Sequence, residues 1–272
     1  HFLNFKKPTL VIKKIIRSSI SDLVCKGVVP KYYFISASGN KNTFSKKNLS
    51  KIIKDLSKEQ KKYKILLSGG DTTFSNKLSF TITSIGFSNR IIYRNGAKLN
   101  DDIYVTGNLG DSFTGLQILK NKIKVKKKIK DYFLNKYYLP DIQIGLTKQL
   151  LKFANTSIDV SDGLIDDLDK MLNKQNLSYI INQNNIPISK YLLNLIKEKK
   201  INMSNFIYNG DDYQVLFTAS SDKSRIIQNT SKNLDIKITK IGKINSGRRK
   251  SIVIDQKAKK ILLKNKGYIH QF

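Results

Sequence analysis

Segments with strand periodicity alternate with segments of helical periodicity along this chain, and this alternation is the feature that most restricts its fold. In residues 78–83, apolar and hydroxyl side chains alternate, which is typical of a strand with one buried face. In residues 9–26, Ile12, Ile16 and Ile20 recur at the spacing of a helix with one apolar side. Strands interleaved with helices predict an α/β (α+β) class, with mixed sheets flanked by helices.

The other predicted elements continue this alternation to the end of the chain. Further helices are predicted at 46–62, from 111, at 141–154, from 163 and after Pro187, and further strands at 63–67, 103–106, 156–160, 213–218, 236–244, 251–254 and 260–263. At roughly 150 residues per domain, the length of 272 residues predicts two modest domains. Few apolar side chains follow Ile92 in the segment 89–100. We therefore place the domain boundary there, between 1–89 and 90–272.

The charge of the chain is strongly basic, with 50 lysines and arginines against 20 aspartates and glutamates. Only six of these cations are arginines, the side chain best suited to bidentate recognition of bases and phosphates. The lysines are dispersed, and the densest run, residues 122–130, is predicted to be an exposed connection. We expect a solvated basic exterior and no specific nucleic-acid partner, with a nucleic-acid-binding face as the alternative.

Cysteine and histidine are both scarce, which excludes several kinds of site. Cys25 is the only cysteine, so an internal disulfide and a multi-cysteine metal site are excluded, and a reducing cytoplasm is the expected location. No window approaches the ~18 consecutive apolar residues of a membrane-spanning helix, so no membrane partner is expected. The only histidines, His1 and His270, lie at opposite ends of the chain, which disfavours a serine–histidine triad or a histidine metal site.

The aspartates are more informative than the lysines because they are clustered. Twelve of the 20 acidic residues lie in short, turn-rich stretches. Clustered carboxylates are suited to hold hard divalent cations, especially Mg²⁺ beside phosphates. The twelve are Asp22, Asp71, Asp101, Asp102, Asp111, Asp159, Asp162, Asp166, Asp167, Asp169, Asp211 and Asp212.

Three of these stretches adjoin predicted strands, at residues 68–73, 158–163 and 209–213. Each combines aspartate with glycine, which permits positive φ and close approach of the backbone to a ligand. Such turns can cradle a phosphate and hold its metal ion. Taken singly, each is more often an ordinary turn. Neither the Gly-x-Gly-x-x-Gly motif nor the lysine-containing phosphate loop occurs, so a nucleotide enzyme built on this chain must use another scaffold.

The aspartates after residue 161 can be interpreted in two ways. Asp162, Asp166 and Asp169 share one predicted helix face, where a cation would relieve their mutual repulsion. Alternatively, Asp162 is simply a helix N-cap, and the acids behind it interact favourably with the helix dipole. The capping residue of the helix predicted from 111 is expected to be Asp111 or Ser112.

The order and spacing of the motifs, taken together, carry a family resemblance across nearly the whole chain. The motifs are Ser21-Asp22-Leu23, Gly27 with Pro30, Gly69-Gly70-Asp71-Thr72-Thr73, Arg94-Asn95-Gly96-Ala97-Lys98 with Asp101, Tyr104-Val105-Thr106-Gly107 with Gly110-Asp111, Ile158-Asp159-Val160-Ser161-Asp162-Gly163-Leu164 with Asp167-Leu168, Gly210-Asp211-Asp212-Tyr213 and Lys266-Gly267-Tyr268. In this order they resemble the thiamine-monophosphate kinase family, in the superfamily that includes aminoimidazole ribonucleotide synthetase.

The resemblance implies transfer of the γ-phosphoryl group of ATP to thiamine phosphate with Mg²⁺, which is the last step of thiamine diphosphate biosynthesis. It also implies a two-domain fold and a homodimer, with residues 1–89 binding ATP and Mg²⁺ and joining the N-terminal sheets of two copies. No general base is implied, since a phosphate monoester oxygen is already anionic. By position, the metal ligands would be Asp22, Asp71, Asp159 and Asp162, the ATP contacts Gly70, Asp71, Arg94 and Ser161, and the thiamine phosphate contacts His1, Asp211 and Tyr268.

Two departures from the family pattern accompany the resemblance. The family has a Gly-Asp-Asp turn and a Thr-Asp-Thr strand end before the position of His1, so we expect a chain truncated at its N-terminus, with impaired metal binding and activity. Asp211 stands where the family has glutamate, so we expect a weaker or water-mediated substrate contact. The alternatives are another ATP-dependent enzyme of the same superfamily and an inactive, basic nucleic-acid-binding relative.

Overall fold

The computed structural model describes residues 2–248, 250–263 and 267. They form two β-sheets with helices packed on them, so the predicted α/β (α+β) class with mixed sheets is confirmed. None of the described helices is long and apolar enough to cross a membrane. The helices are α1 (Pro8–Cys25), α2 (Lys46–Tyr63), α3 (Asp111–Leu119), α4 (Lys127–Tyr138), α5 (Thr147–Leu150), α6 (Leu164–Leu172), α7 (Lys190–Lys199), α8 (Ser204–Ile207) and α9 (Ser224–Leu234). The strands are β1 (Val29–Gly39), β2 (Leu66–Phe74), β3 (Ser79–Phe87), β4 (Asp102–Thr106), β5 (Thr156–Asp159), β6 (Leu177–Asn182), β7 (Val215–Ala219), β8 (Ile238–Ser246) and β9 (Ile252–Ile254).

The first sheet has three strands in the order β2-β1-β3. Strand β1 pairs in parallel with β2 and antiparallel with β3. Exposure alternates along β3, as the pattern at 78–83 predicts: Phe80 and Ile82 pack on the core, whereas Ile85 and Phe87 lie on the open face. The sheet therefore buries one face and leaves apolar side chains on the other.

The second sheet has six strands in the order β5-β7-β4-β8-β6-β9. Neighbouring strands are antiparallel except β6 and β9, which are parallel. Strands β4 and β7 are buried along their whole length. Because β7 is antiparallel to both β5 and β4, the start of β7 lies beside the ends of β5 and β4. The segments that follow β5 and precede β7 are thereby brought to the same edge.

Helix α1 connects the two sheets. It contacts β3 in the first sheet and β5 and β7 in the second, and Ile12 and Phe217 belong to one core cluster. Its buried Arg17 donates to both carboxylate oxygens of Glu59 in α2, at 2.8 and 3.1 Å, and to the carbonyl oxygen of Pro140 at 3.2 Å. Helix α1 is fixed on several sides, and its last turn therefore has a defined place at the end of β5.

Several element predictions need correction. The sequence patterns do not predict β1, β6, α4, α8 or α9. The basic run at 122–130 is not only a connection, because α4 begins at Lys127 and buries Phe133 and Tyr137. The helix predicted at 141–154 is too long: only residues 144–150 are helical, as a short 3-10 helix, Ile144–Leu146, followed by the single turn α5. The strand predicted at 260–263 is also wrong, since Lys260 makes only an isolated bridge to Ile254.

Candidate active site

Two of the predicted aspartate turns pack against each other at the edge where β5 ends and β7 begins. The N–H of Asp211 donates to the carbonyl oxygen of Ser161 at 2.8 Å, and that of Tyr213 donates to the carbonyl oxygen of Val160 at 2.9 Å. Gly210 permits this approach, because a Cβ atom there would lie 2.0 Å from the carbonyl oxygen of Ser161. The segments 158–163 and 209–213 therefore form one unit, which we call the paired turns.

Asp167 in the first turn of α6 holds the first of the paired turns. Its Oδ2 accepts hydrogen bonds from the backbone N–H groups of Ser161, Asp162 and Gly163 at 2.9, 2.9 and 3.0 Å. The N-cap residue is Gly163, so the alternative that made Asp162 the N-cap is wrong. Burial raises the pKa of Asp167 to about 6. The loop that carries Ser161 and Asp162 is therefore fixed by the helix that follows it.

Three carboxylates of this region lie close together and already have a cation among them. Oxygens of Asp162, Asp166 and Asp167 lie within 4.8 Å of one another. The Nζ of Lys170 lies 2.5, 2.6 and 3.6 Å from these three carboxylates, in the same order. The predicted grouping is wrong in one member, because Asp169 instead accepts a hydrogen bond from a tyrosine hydroxyl of β6 at 2.7 Å. Lys170 relieves the repulsion that the sequence pattern predicts.

A separate pair of aspartates, Asp22 and Asp159, lies where α1 and β5 end. Asp159 is 3% exposed and accepts a hydrogen bond from the Oγ of Ser21 at 2.8 Å. Burial, together with the like charge of the neighbouring Asp22, raises the pKa of Asp159 to about 7. Because a bound cation would stabilise the ionised form of such a pair, Asp22 and Asp159 fit a divalent metal ion.

Gly70 and Asp71 lie inside a strand, so the prediction of a turn at 68–73 is wrong. Strand β2 runs through this segment, and Asp71 is exposed opposite Ser36 of β1. Gly70 has φ 154°, and a Cβ atom there would lie 1.9 Å from the carbonyl oxygen of Ile35, so only glycine fits beside β1. The Oδ1 of Asp71 accepts a hydrogen bond from the N–H of Thr72 at 2.7 Å.

The four predicted metal ligands are not all in one compact group. Asp22 and Asp159 are neighbours, Asp162 interacts with Lys170, and Asp71 lies on β2. Among the described residues, only one group of three or more acidic, histidine or cysteine side chains has its ligand atoms within 4.8 Å of one another. It is the acidic trio Asp162, Asp166 and Asp167. The joint role of the four as ligands stays a prediction.

The segment at 94–98 packs against the last turn of α6 and the residue that precedes β5. The N–H of Asn95 donates to the carbonyl oxygen of Met171 at 2.8 Å, and a Cβ atom at Gly96 would lie 2.5 Å from a backbone oxygen of the segment before β5. Partial desolvation raises the pKa of Asp22, and the charges of Lys26 and Arg94 oppose this shift. The guanidinium of Arg94, a predicted ATP contact, is thus close enough to interact with Asp22.

Two residues of this region have contacts that the sequence patterns do not reveal. The ammonium of Lys14, buried in α1, donates a hydrogen bond to Asp211. Asp212 accepts hydrogen bonds from the N–H groups of Gly110 at 2.8 Å and Ser112 at 3.2 Å. The cap of α3 therefore comes from a distant residue and not from a residue at its own start. The sequence feature that could have indicated the burial of Lys14 is its place in a mainly apolar helix.

The remaining predicted substrate contacts, His1 and Tyr268, lie outside the described residues. Asp211 is therefore the one member of that set whose surroundings are described. Its side chain is 22% exposed, so it stays partly open to solvent while its Oδ2 contacts Lys14.

Comparisons with known proteins relate this architecture to a family. The family described as AIR synthase related protein, N-terminal domain, matches residues 1–88. The thiamine-monophosphate kinase of Buchnera aphidicola subsp. Acyrthosiphon pisum is 37% identical over 279 aligned positions, which cover 99% of this chain and 83% of the relative.

Two solved structures are also similar over most of their length. A structure described as AaThiL complexed with AMPPCP and TMP has a TM-score of 0.86 and 26% identity, covering 100% of this chain and 83% of that one. Thiamine-monophosphate kinase from Stenotrophomonas maltophilia has a TM-score of 0.84 and 25% identity, covering 94% and 81%. This chain belongs to the thiamine-monophosphate kinase family.

Proposed function

We propose that this chain transfers the γ-phosphoryl group of ATP to thiamine phosphate, forming thiamine diphosphate and ADP. The observation that carries the proposal is that the paired turns, 158–163 and 209–213, lie together at the edge of the sheet where Asp22 and Asp159 meet. Relatives named thiamine-monophosphate kinase, and a similar structure complexed with AMPPCP and TMP, support this activity.

The metal ion in this proposal is Mg²⁺, and its ligands would be Asp22, Asp71, Asp159 and Asp162. Carboxylate oxygens are ligands that Mg²⁺ prefers, and the repulsion between Asp22 and Asp159 favours a cation at that pair. When bound, Mg²⁺ would neutralise phosphate charge that develops during transfer. Asp162 would have to exchange its contact with Lys170 for the metal ion.

The ATP contacts in this proposal are Gly70, Asp71, Arg94 and Ser161. Because Asp167 already occupies the backbone N–H groups at the start of α6, the Ser161 hydroxyl and the Arg94 guanidinium are the groups available for phosphate oxygens. The phosphate of the acceptor is anionic and needs no general base. The chain's own residues therefore act by positioning and by neutralising charge.

Thiamine phosphate would be held by His1, Asp211 and Tyr268. Asp211 is suited to this role because its backbone is fixed against Ser161, a proposed ATP contact, while its carboxylate is partly open to solvent. Both substrates carry phosphate groups, so the net charge of +30 would raise their concentration near the surface.

The direct test of the proposed function is an assay of the full-length protein with ATP, Mg²⁺ and thiamine phosphate. We expect equal amounts of ADP and thiamine diphosphate by chromatography, and no product when EDTA replaces Mg²⁺. Absence of turnover together with absence of ATP binding by calorimetry would contradict the proposal. Turnover with an amide acceptor alone would favour the other superfamily enzymes. Tight, sequence-selective RNA or DNA binding at ~0.15 M salt without turnover would favour the nucleic-acid alternative.

We also propose that two copies of the chain form a homodimer through the open face of the first sheet. Phe34, Ile85 and Phe87 are 38%, 40% and 63% exposed on this face. Neighbouring exposed apolar side chains on one face are typical of an association surface. A partner sheet laid on this face would remove them from water.

A charge placed on this face is expected to dissociate the dimer. Ile85→Glu would bury a carboxylate in the proposed interface, so we expect the mass measured by light scattering to fall from that of two chains to that of one. Ile53→Glu is the matched control, since Ile53 is 64% exposed on α2. A wild-type protein that is monomeric at micromolar concentration, or an Ile85→Glu protein that stays dimeric, would contradict this interface.

We place the boundary between an ATP- and Mg²⁺-binding domain, 1–89, and a C-terminal α/β domain, 90–272. Support comes from the family match to residues 1–88 and from the first sheet, whose last strand ends at Phe87. A cytoplasmic location is proposed because the lone Cys25 is a free, buried thiol.

A further inference from the structure

Lys14 is a charged side chain in an apolar part of the molecule. It is 0% exposed, and its neighbours on α1, Val11 and Ile15, belong to the core. Lysine is almost never fully buried unless it is paired. Burial lowers the pKa of Lys14, and the charges of Asp211 and Asp212 oppose this shift. The ammonium is therefore retained in the core by specific partners.

The partners of Lys14 belong to elements far apart in the chain. Its Nζ donates to the Oδ2 of Asp211 and lies 3.3 Å from the ring centroid of Tyr137 in α4. The same Asp211 oxygen also lies 3.4 Å from the Oγ of Ser112 at the start of α3. One ammonium thus connects α1 and α4 to the second of the paired turns.

Backbone contacts fix the main chain of Asp211 but leave its carboxylate to be oriented by other groups. The residue has φ 76°, in the left-handed region, and its N–H is bonded to Ser161 at 2.8 Å. The direction of the carboxylate then depends on side-chain partners, of which Lys14 is the charged one. Since the side chain is 22% exposed, the carboxylate can also accept a hydrogen bond from a ligand.

A purely structural role explains this arrangement poorly. A buried ion pair is weak support for stability, because desolvation of both charges offsets their attraction. An apolar side chain of similar volume would pack as well among Val11, Ile15 and the ring of Tyr137. What the lysine provides, and an apolar residue would not, is a fixed orientation for one carboxylate at the edge of the site.

We propose that Lys14 is a positioning residue that orients Asp211 toward thiamine phosphate, and that it sets the affinity for this substrate and not the rate of phosphoryl transfer. The inference rests on the proposed function, in which Asp211 contacts thiamine phosphate. Lys14 itself contacts the side chains of Asp211 and Tyr137, neither of which is a proposed ATP or metal residue. Loss of Lys14 should therefore leave ATP binding and the transfer step largely unchanged.

The test compares Lys14→Met with Lys13→Met by steady-state kinetics. We expect Lys14→Met to raise the KM for thiamine phosphate about tenfold, the equivalent of one charge-assisted hydrogen bond, with kcat and the KM for ATP near those of the wild type. Lys13 is the matched control, since its Nζ lies 3.1 Å from Asp55 on α2. Lys13→Met should change none of these constants.

A double-mutant comparison separates positioning from general structural damage. If Lys14 acts through Asp211, then Lys14→Met should raise the KM for thiamine phosphate no further in an Asp211→Asn background. Additive effects would overturn the proposal, as would an unchanged KM in Lys14→Met or equal losses for both substrates. If Lys14→Met does not fold, Lys14→Gln is judged by the same criteria. Absence of wild-type turnover would contradict the proposed function itself, whereas normal wild-type turnover with an unchanged KM in the variant contradicts only the role of Lys14.

Discussion

Asp159→Asn is expected to remove at least ~99% of the turnover and yet to stabilise the metal-free protein at pH 8. The loss of turnover follows because the variant lacks a proposed ligand of Mg²⁺, and electrostatic stabilisation by a bound metal ion amounts to several kcal/mol. The gain in stability follows because Asp159 is 3% exposed beside Asp22, so its charge is unfavourable without a cation. Asparagine keeps the shape and an acceptor for the Oγ of Ser21.

The pH dependence of stability gives a separate readout. The pKa of Asp159 is raised to about 7 in the folded chain, so between the ordinary carboxyl value and pH 7 the folded state binds this proton more tightly than the unfolded state does. The stabilisation of the folded state by protonated Asp159 is therefore fully present below the ordinary carboxyl pKa, and it is lost as the pH rises through 7. In EDTA, the wild type should lose stability between pH 5 and pH 8, by ~1 kcal/mol or more from this group. Asp159→Asn should flatten that part of the profile.

Asp169→Asn is the control for the same experiment, measured by chemical denaturation and by the kinase assay. Asp169 lies on α6 with Asp166 and Asp167 but accepts a hydrogen bond from a tyrosine hydroxyl of β6, so turnover should stay near that of the wild type. Retained turnover in Asp159→Asn would contradict the ligand role. Lower stability of this variant than of the wild type at pH 8 would contradict the proposed repulsion between Asp22 and Asp159.

The parts of the site that could be predicted from the sequence are those set by neighbours along the chain. The turn after β5 and the start of α6 were predicted because glycine, aspartate and an apolar stripe follow one another at short spacing. Periodicity likewise predicted α1, which buries its apolar stripe, and β3, along which exposure alternates. The order of several motifs was specific enough to identify the family.

Contacts between distant segments were not predicted, because no local pattern encodes them. Lys14 and Asp211 are 197 positions apart, and the cap of α3 comes from Asp212, about a hundred positions away. Strand β2 was missed at 68–73 because glycine and aspartate resemble a turn, although pairing with β1 keeps the segment extended. The acidic trio contains Asp167 and not the predicted Asp169. The carboxylate of Asp167 turns back to the backbone of the loop before α6, which brings it close to Asp162.

Gly210→Ala is expected to reduce turnover at least ~100-fold and to destabilise the fold by ~2–4 kcal/mol, since it forces the paired turns apart. The added Cβ atom would lie 2.0 Å from the oxygen and 2.4 Å from the carbon of the Ser161 carbonyl. Backbone atoms cannot yield as a flexible side chain would. The 2.8 Å hydrogen bond from Asp211 to Ser161 would therefore be broken or stretched, and misplacement by about 1 Å in a site can cost two orders of magnitude in rate.

The matched control is Gly145→Ala, which adds the same methyl group where there is room. A Cβ atom at Gly145, in the short 3-10 helix Ile144–Leu146, would come no closer than 3.9 Å to the nearest atom, in the side chain of Leu234. Alanine there should leave turnover unchanged and leave stability equal or slightly higher, because it restricts the unfolded chain. Equal stability and turnover in the two variants would show that the turns 158–163 and 209–213 are not packed together in solution, and the proposed arrangement of the ATP and thiamine phosphate contacts would fail with them.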